Sequence, residues 1–409
     1  MTPLYDSLRT NIPLPVMTFP NFSFPPETPL FPPASAVHQY LEDYAAHFDL
    51  LRYVRLFTRV EKIFWDMDSG EWDVALSTGE GLRFDFVVVA NGHFRKPRYP
   101  DTAGLQSWLH SGRATHSAWF RYPNEFAHHR KVMLVGGGPS ALDICTEMIG
   151  VVPLLLHSIP GPKPNGALTY LDDTGRYRKV PRVAEYRGDR SILFVDGATE
   201  SDIDLVILAT GYEVSFPFLS QMNLEIPSLP PPLPSELYNS TYHVFPLAYE
   251  LFPLQGVFPP TSIAFPGLLH SAAPFRVFEA QAGAIARVLE IPESLEIPSC
   301  ATDIVSRVHE IMHEEGTNDP LRIAKRWCRL VHMEPFRYLD RLWAFSGESG
   351  TIPDWEIECW ENRHAIRIAW TSIEQSGEGK ELLQGVGTNG LEDWVGLCLK
   401  LINESEPKL

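Results

Sequence analysis

A glycine-rich turn with the pattern GxGxxA carries the clearest chemical signal in the chain. The turn, GGGPSA at 136–141, follows the apolar run KVMLV at 131–135 and precedes a helical stretch through Ile149. In a dinucleotide-binding turn the first two glycines allow a tight bend and close approach of the pyrophosphate, and a small third residue allows close helix packing. The helix N-terminus adds free N–H groups and a positive dipole. The binding residues predicted here are Gly136, Gly138, Ser140, Ala141 and Asp143.

The glycine pattern occurs a second time in a different setting. GVGTNG at 385–390 matches GxGxxG in full, but it follows KELLQ, which is not a strand pattern, and only a helix is expected after it. A dinucleotide site needs a strand before the turn. We therefore predict a loop between two helices at 385–390, with an N-cap for the last helix.

The stretch after the first turn bears on which dinucleotide is bound. NAD enzymes usually carry an acidic residue about 20 positions after the first glycine, where it binds the ribose 2′-hydroxyl. Here LLLHS is followed by IPGPKPNG, which contains Lys163 and no acid. This favours NADPH over NADH. Lys163 is a candidate partner for the 2′-phosphate, although a solvated loop lysine is the simpler interpretation.

The elements around the first turn predict a doubly wound α/β core. Strand patterns occur at 53–58, 60–66, 71–77, 84–90, 131–135 and 204–210. The last three are apolar without alternation, which is typical of strands buried on both faces of a parallel sheet. A helix directly after one of them gives the strand–turn–helix order of this fold class.

Two proline-rich segments, 1–34 and 225–260, predict extended or irregular structure on the surface. After the first, Ser35 is the expected N-cap of an amphipathic helix that runs to Phe48. Further helical patterns occur at 278–290, 301–315, 362–375 and 391–402. The C-terminal third is therefore expected to be mostly helical.

Composition excludes several classes of partner. The 409 residues carry a formal net charge of -17, which makes nucleic acid or an anionic membrane an improbable general partner. Five cysteines without a CxxC pair argue against a disulfide framework or a zinc cluster, and no metal site is predicted. No apolar run has the length of a membrane-spanning helix, and the N-terminus has no signal core. We expect a cytoplasmic protein.

Three further segments resemble one protein family. HSGRATHSAWF at 110–120 resembles the fingerprint FxGxxxHxxx(Y/F) of flavin-containing monooxygenases and their Baeyer–Villiger relatives: Gly112, His116 and Phe120 match it, and His110 replaces the first Phe. ANGHFRKP at 90–97 and ATGYEVSFPFL at 209–219 resemble the two places where the family chain crosses between domains. His116 is expected to be structural.

The resemblance implies two Rossmann-like dinucleotide-binding domains, with an NADPH domain at 99–211 inserted between the FAD-domain parts 1–98 and 212–409. Family members begin with a strand, GxGxxG and a helix that bind the FAD pyrophosphate. We expect this first unit to be missing, because the 10 residues before Asn11 are too few for a βαβ unit of about 30 residues. FAD binding by the chain alone is then in doubt.

The resemblance also implies the chemistry. NADPH reduces FAD, O2 adds to the reduced flavin, and the resulting hydroperoxide passes one oxygen atom to the nitrogen or sulfur of a small molecule. The pair Thr10-Asn11 matches the family residues that meet flavin and nicotinamide, so Asn11 is the catalytic candidate. Val60 matches the position that touches the adenine of FAD.

Two alternatives stay open: a Baeyer–Villiger-type oxidoreductase, and a truncated, non-catalytic NADPH-binding remnant. The expected partners are the small-molecule substrate and O2, and a homodimer is left open. The substrate is not specified by any sequence feature.

Overall fold

The structure, a computed structural model, describes residues 2–159 and 175–405. The chain forms two compact units. We call Met1–Arg9 with Phe94–Glu213 the inserted unit, and Thr10–His93 with Val214–Leu409 the outer unit. Among the residues described, no helix is both long and apolar enough to cross a membrane.

The elements of the chain are numbered in sequence order. The helices described are α1 (Leu14–Met17), α2 (Ala34–His47), α3 (Leu105–His110), α4 (Pro139–Met148), α5 (Pro274–Glu290), α6 (Ile297–Glu315), α7 (Pro320–Trp327), α8 (Glu334–Ser346), α9 (Asp354–Glu361), α10 (Arg363–Ser376), α11 (Gly379–Leu382) and α12 (Leu391–Ser405). The first strands are β1 (Val60–Asp66), β2 (Glu71–Leu76), β3 (Gly81–Phe84), β4 (Val87–Val88), β5 (Lys96–Pro97), β6 (Ala114–His116), β7 (Lys131–Val135), β8 (Leu154–Ser158), β9 (Tyr177–Val180) and β10 (Val183–Tyr186). The others are β11 (Ile192–Phe194), β12 (Thr199–Glu200), β13 (Leu205–Leu208), β14 (Tyr212–Glu213), β15 (Tyr238–Asn239), β16 (Val244–Phe245), β17 (Leu247–Ala248), β18 (Phe252–Pro253) and β19 (Ile263–Ala264).

The inserted unit is built around a five-stranded sheet in the order β6-β13-β7-β8-β9, with every neighbouring pair parallel. The apolar runs at 131–135 and 204–210 form β7 and β13, which confirms both predicted strands. Met133, Leu134, Val206 and Ile207 have no exposed surface, because these inner strands are covered on both faces. The α/β class with a Rossmann-type parallel sheet is confirmed.

The outer unit contains an antiparallel sheet, β1-β2-β3, and a separate parallel pair, β4-β19. The predicted strand at 53–58 is wrong: the chain there makes a 3₁₀ turn, Leu50–Tyr53, and Phe57 takes a positive φ of 55°. The strand predicted at 84–90 is reduced to Val87–Val88, and its burial on both faces is wrong because Val88 is 46% exposed.

The proline-rich N-terminal segment is not a surface piece. Leu14, Val16, Leu30 and Phe31 are buried in one apolar cluster that includes residues of α9, α10 and α12. The prolines prevent a long helix, as expected, but the apolar residues between them fill space against the C-terminal helices. Helix α2 is confirmed, although it begins after Pro33, so that Ser35 lies in its first turn rather than at the N-cap.

The second proline-rich segment also turns inward. Leu237, Phe245, Leu251 and Phe252 are buried in the largest apolar cluster of the outer unit, so the predicted surface excursion over 225–260 is wrong for its second half. The helices predicted in the C-terminal third are confirmed as α5, α6, α10 and α12.

The second glycine pattern is confirmed as a loop between helices. The segment 385–390 joins α11 to α12, and the Asp393 carboxylate accepts hydrogen bonds from the backbone N–H groups of Gly387 (2.9 Å) and Asn389 (3.0 Å). A side chain at Gly387 would meet the indole ring of Trp394 at 2.2 Å. Gly387 therefore serves packing within the helical region.

Candidate dinucleotide-binding site

The turn after β7 begins with a position that only glycine can occupy. Gly136 has φ 130°, a conformation that side-chain-bearing residues rarely adopt. A Cβ there would lie 2.2 Å from the carbonyl oxygen of Ala209, the residue that follows β13. The chain can therefore turn sharply from β7 toward α4 only because position 136 lacks a side chain.

The next two glycines leave the mouth of the turn open. Among the described residues, a Cβ at Gly137 would meet only Ile159 at 3.2 Å, and one at Gly138 would meet no atom within 4 Å. Gly138 is the N-cap of α4 and its φ is an ordinary -79°, without a side-chain cap on the helix. The first N–H groups of α4 can consequently bind an anion that approaches across Gly138.

The start of α4 packs as a dinucleotide-binding helix does. Ala141 is fully buried, so the helix lies close against the sheet, while Ser140 is half-buried at the mouth of the turn. The Asp143 carboxylate accepts a hydrogen bond from the Tyr5 hydroxyl at 2.7 Å. Tyr5 is itself buried against Phe120, with the ring centroids 5.9 Å apart. Asp143 thus fastens the N-terminal segment to α4.

Strand β8 holds both backbone polar groups of Gly136. The Gly136 N–H donates to the Ser158 carbonyl at 3.1 Å, and the Gly136 carbonyl lies 2.6 Å from Nε2 of His157. The other ring nitrogen, Nδ1, lies 3.2 Å from the Tyr177 hydroxyl. The sequence analysis missed His157, because a lone histidine in an apolar strand gives no signal until the pairing of β7 with β8 is known.

The residues proposed for the flavin side lie in the outer unit. Asn11 is exposed just before α1, and the Thr10 backbone N–H donates to the Pro32 carbonyl at 3.0 Å. The Thr10 hydroxyl oxygen is buried and has no hydrogen-bond partner among the described residues. Val60 opens β1 and is 37% exposed.

His116 of the family fingerprint is completely buried at the end of β6. Its Nδ1 accepts a hydrogen bond from the Ala118 N–H at 3.0 Å, and its ring contacts the rings of Tyr99 and Tyr212. Burial lowers the pKa of His116 to about 4, so the ring is neutral at physiological pH. These contacts support a structural role.

The turn in the inserted unit fits NADPH: a side-chain-free mouth, an uncapped helix N-terminus and a close-packed Ala141 are what a pyrophosphate requires. For FAD the outcome is different. Thr10 and Asn11 offer polar groups, but the outer unit contains no second strand–glycine turn–helix within residues 10–93 and 214–405. Those residues therefore contain no FAD cradle of the strand–glycine turn–helix kind. Lys163 lies outside the described residues.

Comparison with known proteins gives a consistent result. The family model described as flavin-binding monooxygenase-like matches residues 1–158 and 174–251. A thiol-specific monooxygenase of Saccharomyces cerevisiae is 28% identical over 83% of this chain and 78% of its own length. Flavin-containing monooxygenase FMO GS-OX-like 4 of Arabidopsis thaliana is 29% identical over 87% of this chain and 76% of its own. The structure of S-allyl-L-cysteine S-oxygenase from Allium sativum superimposes with a TM-score of 0.71 at 24% identity, covering 98% of this chain and 85% of that one.

Proposed function

The chain belongs to the flavin-binding monooxygenase-like family, and from this premise we propose that it transfers one oxygen atom from O2 to the nitrogen or sulfur of a small molecule. The family consists of flavin-dependent monooxygenases that use FAD and NADPH. FAD, when bound, would accept electrons from NADPH and activate O2, which is the source of the transferred oxygen atom. The role of the protein is to bind the nucleotides, to orient them and to keep water from the reaction.

The observation that carries the proposal is the geometry of the 136–141 turn. We assign NADPH binding to Gly136, Gly138, Ser140 and Ala141, with Asp143 holding the first turns of α4 in place through Tyr5. NADPH rather than NADH is proposed because the stretch IPGPKPNG at 159–166, directly after β8, contains no acidic residue that could bind a free 2′-hydroxyl. By extension we propose 99–211 as the NADPH domain and 1–98 with 212–409 as the FAD domain.

Asn11 is the proposed catalytic residue. Its exposed amide has two donors and an acceptor, so it can hydrogen bond to the oxygen being transferred. The unpartnered Thr10 hydroxyl beside it supports a ligand here, because an unsatisfied buried hydroxyl costs about 1–3 kcal/mol. Val60 stays a proposed contact for the adenine of FAD.

The substrate class proposed is a soft nucleophile, with sulfur ahead of nitrogen. The yeast relative is named for thiols, and it matches most of this chain. All five cysteines of this chain are buried and free, which supports the reducing cytoplasm as the proposed location. The homodimer is retained only as a prediction, without support from these findings.

The test is a product assay on the purified full chain with FAD in excess. We expect NADPH- and O2-dependent formation of an oxygenated product from a thiol or a tertiary amine, measured by mass spectrometry. A ketone offered in parallel would yield an ester if the Baeyer–Villiger alternative holds. Absence of every product from a chain that binds both cofactors would contradict the proposal, and NADPH binding without FAD binding would favour a non-catalytic NADPH-binding protein.

The role of Asn11 is tested by Asn11→Ala under the same conditions. We expect NADPH to be consumed at nearly the parent rate while oxygen transfer falls and hydrogen peroxide release rises, because the donor to the activated oxygen is removed. Asn124→Ala, a substitution at a loop asparagine of the inserted unit, is the matched control. Equal product yields from parent and Asn11→Ala would contradict the assignment.

A further inference from the structure

Two side chains that have no role in the proposed function support the Gly136–Gly137 peptide on the side of its carbonyl oxygen. His157 on β8 contacts the Gly136 carbonyl at 2.6 Å, and Tyr177 on β9 contacts the other side of the same imidazole at 3.2 Å. We propose that Tyr177 and His157 form a hydrogen-bonded relay that fixes the orientation of this peptide and thereby sets the affinity of the turn for dinucleotide pyrophosphate. The inference rests on the proposed function of the turn.

The direction of each hydrogen bond follows from the groups involved. A backbone carbonyl can only accept, so Nε2 of His157 carries the proton and donates to Gly136. Burial lowers the pKa of His157, so the ring is neutral and Nδ1 is an acceptor. The Tyr177 hydroxyl must then donate to Nδ1, and burial, which raises the pKa of Tyr177 to about 12, keeps its proton in place. The relay therefore runs from Tyr177 through His157 to Gly136.

Fixing one carbonyl fixes the N–H on the other side of the same peptide bond. In a planar trans peptide the C=O and the following N–H point in opposite directions. Because the Gly136 carbonyl faces the buried His157, the Gly137 N–H is directed away from the interior of the sheet, on the open side of the turn. That N–H is the kind of donor a pyrophosphate needs.

The position of His157 argues against simple core filling. Leu155 and Leu156, the residues before it on β8, are apolar and fully or almost fully buried, and His157 has no exposed surface. A buried imidazole is unfavourable unless its polar atoms are satisfied. Both atoms are satisfied here by the relay. An aliphatic side chain would fill the same volume but would leave the Gly136 carbonyl without its donor.

The test compares three variants of the full chain by calorimetric titration with NADP⁺ and NAD⁺. His157→Phe removes the donor and is expected to weaken binding about tenfold, because a buried carbonyl loses its hydrogen bond. His157→Gln can place an amide N–H near the position of Nε2 and should restore most of the affinity. Tyr177→Phe removes only the orienting hydroxyl, and we expect about a threefold loss. NADP⁺ and NAD⁺ should be weakened equally, because they share the pyrophosphate.

His243→Gln is the control, since His243 is another deeply buried histidine, bonded to Ser240 in the outer unit. Parent-like affinity of both His157→Phe and Tyr177→Phe would overturn the relay. A loss confined to NADP⁺ would overturn it too, since the effect would then concern the 2′-phosphate. If His157→Phe does not fold, His157→Gln and Tyr177→Phe decide. Failure of the parent to bind NADP⁺, or normal binding by Gly138→Val, would instead refute the proposed function of the turn.

Discussion

The two units use parallel strands in contrasting ways. In the inserted unit, β7 and β13 are inner strands of a five-stranded sheet, and their side chains are buried on both faces. In the outer unit, β4 pairs with β19 alone among the described strands, and Val88 is nearly half exposed. Parallel sheets are normally covered on both faces. The inner strands of the inserted unit are therefore covered on both faces, whereas in the outer unit β19 is buried and Val88 of β4 remains partly exposed.

The outer unit also contains a run of exposed apolar residues between α2 and β1. The members of the run that are more than a third exposed are Phe48, Leu50, Leu51, Tyr53, Val54, Leu56 and Phe57. Soluble proteins rarely expose this much apolar surface in one stretch of chain unless it contacts another surface. The difference between the units shows that an apolar sequence pattern predicts a strand reliably only where neighbouring strands and helices can bury its side chains.

The largest effect that we expect from this difference concerns the two cofactors. Because one cradle is present among the described residues and it lies in the inserted unit, the purified chain should bind NADP⁺ but carry little FAD. An absorbance spectrum followed by release of bound flavin with denaturant measures this. Stoichiometric FAD in a soluble monomer would show that the outer unit binds the pyrophosphate by a different arrangement.

The second largest effect concerns NADPH binding by the inserted unit alone. Gly138→Val puts a branched side chain into the mouth of the turn, where its Cβ meets no atom of the described part of the chain and φ is ordinary, so folding should be retained. The overlap with a bound pyrophosphate should cost about 3 kcal/mol, or about a hundredfold in NADPH affinity. The change is measured by NADPH titration with a thermal melt alongside. Parent-like titration of a folded Gly138→Val chain would remove the assignment.

A substitution at Gly136, the first glycine of the turn, should affect stability rather than leave it unchanged. Gly136→Ala should destabilise the inserted unit by about 4 kcal/mol, because the new methyl group overlaps the Ala209 carbonyl and φ is strained. Gly112→Ala is the control: φ is also positive, but the space is open, so a loss of about 1 to 2 kcal/mol is expected. Denaturant unfolding measures both, and equal losses would show that the contact with Ala209 does not matter.

The smallest effect concerns the exposed run of the outer unit. Phe57→Ser is expected to change the free energy of unfolding by less than about 0.5 kcal/mol, since the side chain is fully exposed. Trp72→Ser, at a fully buried aromatic residue of β2, is the contrast and should cost about 3–5 kcal/mol. Denaturant melts of the two variants compare them directly. A large loss in Phe57→Ser would mean that the run is covered in solution.

The sequence was sufficient for the parts of the fold that local pattern determines. The run KVMLV, with four apolar residues in succession, is followed by GGGPSA and leaves few alternatives to strand, turn and helix, so β7, α4 and the turn between them were predictable. The strands expected at 53–58 and 84–90 have a similar composition, but burial there depends on partners that no local pattern reveals. The burial of the apolar residues in the N-terminal proline-rich segment likewise depends on α9, α10 and α12, which lie more than 300 residues away in the sequence.

The candidate site shows the same limit at the level of single residues. The spacing of Gly136 and Gly138 identifies them in the sequence. The position of His157, in contrast, is defined only when β7 pairs with β8 in the register that places Leu134 beside His157. Tyr177 then depends on the pairing of β9 with β8. Contacts that arise from strand register are invisible to a one-dimensional pattern until the sheet order is known.

The tie between Tyr5 and Asp143 spans 138 positions along the chain. The inserted unit is therefore discontinuous, because its first piece, Met1–Arg9, is separated from the rest by the opening part of the outer unit. An excised fragment of Phe94–Glu213 would lack the ring that packs on Phe120. During synthesis the Tyr5–Asp143 contact can form only after α4 has been made, so closing this long loop is expected to be a late folding event. Adding a synthetic peptide of residues 1–9 to the excised fragment would test whether the unit can be assembled from its two pieces.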